Sequence, residues 1–138
     1  MKRFLVWVMA FSICLLSGCN STDKQIKNTV EDFVLCVEED RFDDAAELIH
    51  SECAITADEV ASYFALLEKE KNLDFTKGFQ LIEYEYEDFE DDSAEIKGSY
   101  VKATGTVEAK DVVYTFELKL VDNEEDFGIY KIKFREKE

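Results

Sequence analysis

Proline is absent from the 138 residues, glycine occurs five times, and histidine and tryptophan once each. With so few chain breakers there is no low-complexity linker, no internal repeat and no glycine-rich loop of the kind that cradles phosphates. A single histidine, His50, with no nucleophile near it in sequence cannot build a Ser–His or Cys–His triad. Its place just past a predicted helix suits a residue favoured by the helix dipole. Basic residues are also scarce, 16 against 32 acidic ones, for a formal charge of −16. Such a surplus disfavours nucleic-acid backbones and anionic headgroups, which need clustered Lys and Arg to displace counterions. What the chain does have is an apolar fraction of 46% with 13% aromatics. That sets it outside the disordered class and gives enough core for one globular domain.

The N-terminus carries the most specific pattern. Lys2 and Arg3 precede the uncharged run Phe4 to Leu16, and Leu16-Ser17-Gly18-Cys19 follows. The thirteen-residue run is shorter than the roughly 20 residues needed to span a bilayer as a helix, so it reads as a secretory signal. The tetrad resembles the lipobox of bacterial lipoproteins. That resemblance implies cleavage before Cys19, a diacylglyceryl thioether on its sulfur, and a membrane-anchored chain facing out of the cytoplasm. In a Gram-negative host, Asn20 resembles the outer-membrane sorting pattern. Residues 1–18 are then a signal peptide, 19–23 a short lipidated tether, and 24–138 a single domain.

Within that domain Ile26, Val30, Phe33, Val34 and Val37 recur at helical spacing, which predicts a helix over 24–40 with Asp23 as cap. Phe42, Ala45, Ala46 and Ile49 predict a second, short helix. Thr56 with Glu59 forms a capping-box pattern that opens a third, striped by Val60, Tyr63, Phe64 and Leu67. After Lys71 the period falls to two. Ile82, Tyr84 and Tyr86 alternate with glutamates, and Val112, Tyr114, Phe116, Leu118 and Leu120 alternate with polar residues. Two more strands are expected around 94–108 and 128–136, joined by the polar hairpin segments 91–93, 109–111 and 122–124. The apolar phase slips between Tyr100 and Val101, which predicts a bulge.

The expectation is an α+β fold, N-terminal helices packed on a curled four-stranded antiparallel meander. The segment from Glu38 to Ile49, a helix end, an acidic turn, an aromatic and a small-residue helix, resembles the opening of the nuclear-transport-factor-like superfamily, which includes ketosteroid isomerase. A cystatin-like arrangement, one long helix across a four-stranded sheet, is the alternative. The superfamily resemblance implies an interior cone in which an Asp, His or Tyr can act as general base or oxyanion donor. The residues to test for such a pocket are Asp74, on the connection into the sheet, with Tyr84 or Tyr114 as hydrogen-bond donor. Asp74 is expected to face water, and the tyrosine rings to pack against Phe33, Val37 and Phe64.

No paired carboxylates stand in an apolar setting and no metal-ligand or cofactor motif is present. The acidic run from Glu83 to Asp92 lacks the Asp and Gly spacing of an EF-hand loop. Its contrast with Lys119, Lys131, Lys133 and Arg135 predicts a sheet face divided by charge, serving either solubility or a polar docking surface. Cys36 and Cys53 stand either as packed thiols or as a disulfide, which would close a loop of about 17 residues and stabilise by about 3 kcal/mol. The functional expectation is a non-catalytic binding module of the cell envelope, whose partner is another envelope protein or a small apolar ligand. An isomerase- or dehydratase-like enzyme and an inhibitor or immunity lipoprotein with an acidic docking face are the alternatives.

Overall fold

A computed structural model describes residues 21–137, and Cys19 with the rest of the N-terminal signal pattern lies outside them. Three helices come first: α1 (Ser21–Glu38), α2 (Phe42–Ala46) and α3 (Ala57–Lys71). A 3₁₀ turn (Phe75–Lys77) leads into β1 (Gln80–Phe89), β2 (Ser99–Ala109), β3 (Val112–Asp122) and β4 (Phe127–Glu136). The strands pair antiparallel in the order β1-β2-β3-β4, an open α+β meander as the periodicity indicates. Asp23 lies within the first turn of α1 and does not precede it.

The shortage of glycine shows at the helix ends. Asp40 (φ 60°) and Asn72 (φ 55°) take the left-handed position that glycine usually fills. Arg41 N then donates to Cys36 O at 2.9 Å, and Leu73 N to Glu68 O at 2.9 Å, closing the two helices. At the start of α3 the capping box is complete: Glu59 N donates to Thr56 Oγ1 at 3.2 Å, and Thr56 N to Glu59 Oε1 at 2.9 Å.

Helices and sheet meet in an aromatic core centred on Phe64. Its ring lies 5.1 Å from Phe134, 5.2 Å from Tyr63, 5.9 Å from Phe33 and 6.0 Å from Phe79, centroid to centroid. Register puts Tyr84, Gly105, Phe116 and Phe134 in one row across this inner face, and Tyr86, Ala103, Leu118 and Ile132 in the next. Gly105 is required there, since a Cβ would meet the Glu83 carbonyl oxygen and come within 2.6 Å of Tyr84 Cβ.

Three strand expectations need correction. The phase slip at Tyr100 and Val101 is no bulge, because β2 keeps its register along its whole length. Both residues are buried because the sheet is covered on both sides at that end. Val101 joins the helix-side core, while Tyr100 joins Ala94, Ile96 and Val121 in a second cluster on the outer side. That cluster is built by the segment 90–98 folding back, so β2 starts at Ser99 and the connection is longer than a hairpin turn. The register shifts lie elsewhere, between Leu81 and Glu83 in β1 and opposite Lys119 and Leu120 in β4. The first leaves Ile82 exposed where alternation had placed it in the core.

Candidate functional site

The outer face of the sheet is polar, and register lays out its charges in rows. Glu83, Thr106, Thr115 and Arg135 form one; Glu85, Thr104, Glu117 and Lys133 the next; Glu87, Lys102, Lys119 and Lys131 the third. Directly opposed residues of an antiparallel pair share a face, so β1 contributes an acidic stripe and β4 a basic one, with Thr104, Thr106, Thr115 and Glu117 between them toward one end and Lys102 and Lys119 toward the other. A groove of about 360 Å³ runs over Thr104, Thr106 and Thr115, with Glu83 on one side and Lys133, Arg135 and Lys137 on the other. The charge division expected from sequence is thus a spatial feature of one surface.

At one end of this face the segment 90–98 is fastened down by a half-buried acid. Asp91 accepts from the Tyr130 hydroxyl at 2.6 Å and from Ser93 Oγ at 2.7 Å, and Lys119 Nζ stands 3.9 Å away. These donors hold its carboxyl down at about 2, the Tyr130 hydrogen bond contributing most. The Tyr130 hydroxyl is pushed up by burial first and then by the carboxylate it donates to. Lys102 and Lys119 both sit over the Phe89 ring, at 5.3 and 5.4 Å from its centroid. Beside them lies a groove of about 370 Å³ lined in part by Glu52, Cys53, Asp91, Glu95, Tyr130 and Lys131. Sequence reasoning missed the Asp91–Tyr130 pair, since 39 residues separate its members and each looked like part of a local pattern.

His50 is buried inside the fold and does not behave as a solvated helix end. Its Nδ1 accepts from Glu52 N at 3.0 Å, which assigns the ring proton to Nε2, and that proton is donated to Asn123 Oδ1 at 3.0 Å. Together with Ser51 N donating to Asp126 Oδ2 at 2.8 Å, this bonds the α2–α3 connection to the β3–β4 turn. Ile49 and Ile129 form a parallel bridge there, which adds a fragment of a fifth strand to the edge of β4.

The residues proposed for an interior pocket are not brought together. Asp74 is exposed, caps the 3₁₀ turn through Thr76, and is lowered by those hydrogen bonds, the side-chain one first. Its groove is lined by Asn72, Leu73, Lys77, Gly78, Ala109 and Lys110, with neither tyrosine. The Tyr84 hydroxyl donates to Glu31 Oε2 of α1 at 3.3 Å, and its pKa is raised chiefly by burial. Tyr114 is buried with its ring 5.9 Å from Phe75, and among the described residues its hydroxyl has no hydrogen-bond partner. Tyr84 and Tyr114 belong to the same buried core cluster as Phe33, Val37 and Phe64, and Tyr63, from the α3 stripe, sets its ring 5.2 Å from that of Phe64.

Cys36 and Cys53 are separate thiols. Burial pushes the Cys36 thiol up, while Cys53, half-buried, directs its Sγ at Tyr130 O at 3.8 Å. Among the described residues no three His, Cys, Asp or Glu side chains gather as a metal site, and no helix is long and apolar enough to cross a membrane. No protein family, curated protein or solved structure matches the chain.

Proposed function

We propose that the protein is a lipid-anchored lipoprotein of the bacterial cell envelope whose domain binds through the outer face of its sheet and carries out no chemistry. The anchor is read from the sequence, from Leu16-Ser17-Gly18-Cys19 behind a short apolar run. The binding role rests on one observation above all: Glu83 and Glu87 stand across the same face from Lys131, Lys133 and Arg135. Solubility alone needs mixed charges, not charges sorted by edge, whereas a sorted face orients a partner. Phe33, Phe64, Phe75, Phe79 and Phe134 fill the helix side of the sheet, which supports a domain that works from its surface. The helices-first order favours a nuclear-transport-factor-like relation over a cystatin-like one, which needs a single long helix across the sheet.

Two measurements test the proposal. Cys19→Ser is expected to release the protein or stall it unprocessed, because one or two acyl chains provide the membrane affinity. A processed variant that still fractionates with membrane overturns the anchor. For the face, a photocrosslinking residue at Thr106 in the native envelope is expected to give adducts that Lys131→Glu/Lys133→Glu/Arg135→Glu removes. Equal adducts from the exposed Leu66 position on α3 overturn the binding face.

A further inference from the structure

The segment 90–98 leaves only part of the outer face open. Asp91 reaches across to the Tyr130 hydroxyl and stands 3.9 Å from Lys119, which closes the end at the Glu87 and Lys131 row. Two rows remain, about 14 Å across the strands and about 14 Å along them, or about 200 Å² of sheet. That is about a quarter of the roughly 800 Å² each partner gives to a standard protein interface. The groove of about 360 Å³ over these rows lies instead within the range of small-ligand sites. Its occupant is therefore small.

Charge narrows the chemistry of that occupant. The first row runs Glu83, Thr106, Thr115 and Arg135 directly across the four strands, and Lys133 and Lys137 line the groove beside Arg135. Glu83 is half-buried, and among the described residues it pairs with no cation, while Lys133, Arg135 and Lys137 hold no acid. An anion would meet Glu83 and a formal charge of −16, and a cation would meet three basic side chains. A neutral molecule with an ammonium at one end and a carboxylate at the other satisfies both sides. Three strand spacings separate the two charges by about 14 Å, far more than an amino acid or a zwitterionic lipid headgroup can bridge. An extended peptide advances about 3.3–3.6 Å per residue, so about three or four residues reach from end to end.

We propose that the open end of the outer face binds a short peptide with both termini free, about three or four residues long, laid across the strands along the first row. Its ammonium sits on Glu83 and its carboxylate on Arg135, with Lys133 and Lys137 beside it. A chain crossing the strands cannot join their ladder, so its N–H and C=O groups need side-chain partners. A hydroxyl both donates and accepts, which lets Thr106 and Thr115 serve either group. Thr115 Oγ1 has a long bond of 3.5 Å to Arg135 O, and among the described residues Thr106 Oγ1 has none. These contacts address the termini and backbone, so length is read and side-chain sequence is not.

The inference rests on the reading of the divided face as a binding surface and is independent of the anchor. Calorimetric titration of the full-length chain with alanine peptides of increasing length tests it. Trialanine or tetraalanine is expected to bind most tightly, with dialanine and heptaalanine about tenfold weaker because each makes only one of the two charge-assisted contacts. N-acetylation or C-terminal amidation of the best peptide should each cost about tenfold as well. Variants assign the two ends. In Glu83→Gln the acetyl group should cost nothing further while the amide still does, and in Lys133→Gln/Arg135→Gln the reverse, a pattern that misfolding cannot mimic. No binding at about 10 mM peptide, an affinity that ignores length, capped and free peptides binding alike, or variants that leave both penalties in place overturns the peptide. If Thr106 adducts then still form and Lys131→Glu/Lys133→Glu/Arg135→Glu removes them, the binding face stands and only its ligand class was misassigned; if the adducts are absent as well, both readings fall.

Discussion

The phenol of Tyr63 serves both backbone groups of Phe134, accepting from its amide at 2.7 Å and donating to its carbonyl at 3.1 Å. A helix side chain thus stands where a neighbouring strand would pair, which protects an edge otherwise open to aggregation. Tyr63→Phe keeps the ring against Phe64 but leaves the amide without its acceptor. The expected loss is about 1–3 kcal/mol, toward the lower end because Tyr63 is half-buried and water can reach the site. Urea unfolding measures it; a midpoint equal to wild type would show that the edge does not depend on this hydroxyl.

Asp91 makes stability depend on acid. Its folded pKa of about 2 lies below the ordinary carboxylate value, so its contribution is complete above about pH 4 and is lost as pH falls toward 2. Asp91→Asn should flatten the stability profile across that window. Tyr130→Phe should raise the Asp91 pKa toward its ordinary value, since the phenol is its main support. Carbon-detected carboxyl titration reads the shift, and an unmoved Asp91 in Tyr130→Phe would refute the assignment.

Gly128 lets the α2–α3 connection lie against β4. A Cβ there meets His50 N and comes within 2.6 Å of His50 Cα, and backbone cannot yield as a flexible side chain would. Gly128→Ala should cost about 1–3 kcal/mol by overpacking. It should also speed hydrogen exchange at the amides of His50 and Ile129, which bond across this joint. Unchanged exchange at both would show that the joint tolerates the methyl group.

The two described cysteines should differ in reactivity. Cys36 is buried with its thiol pKa raised, whereas Cys53 is half-buried. Alkylation of the native protein is expected to label Cys53 first and Cys36 only on unfolding, with peptide mapping to separate them. In unfolded, unreduced protein both should take label; a pair that resists labelling until reduction would mean a disulfide.

Sequence by itself determined the elements and their order. Val60 and Phe64 at helical spacing, the Thr56–Glu59 box and the two-residue period of β3 each express a local rule that acts over a few residues. Short polar connections after β2 and β3 then favoured antiparallel neighbours, whereas β1 reaches β2 through the longer segment 90–98. Only tertiary structure decided what those elements meet. It buried Tyr100 against the returning segment 90–98, paired Asp91 with Tyr130, turned His50 inward to Asn123, and held Asp74 apart from both tyrosines. It also decided the divided face. Alternation assigns each residue to one of two sides of its own strand, but register and bulges fix which sides coincide, so Glu87 and Lys131 share a surface only once four strands are paired. Periodicity records how exposed a residue is along its own element, whereas the identity of its neighbours depends on contacts distant in sequence, which no local pattern encodes.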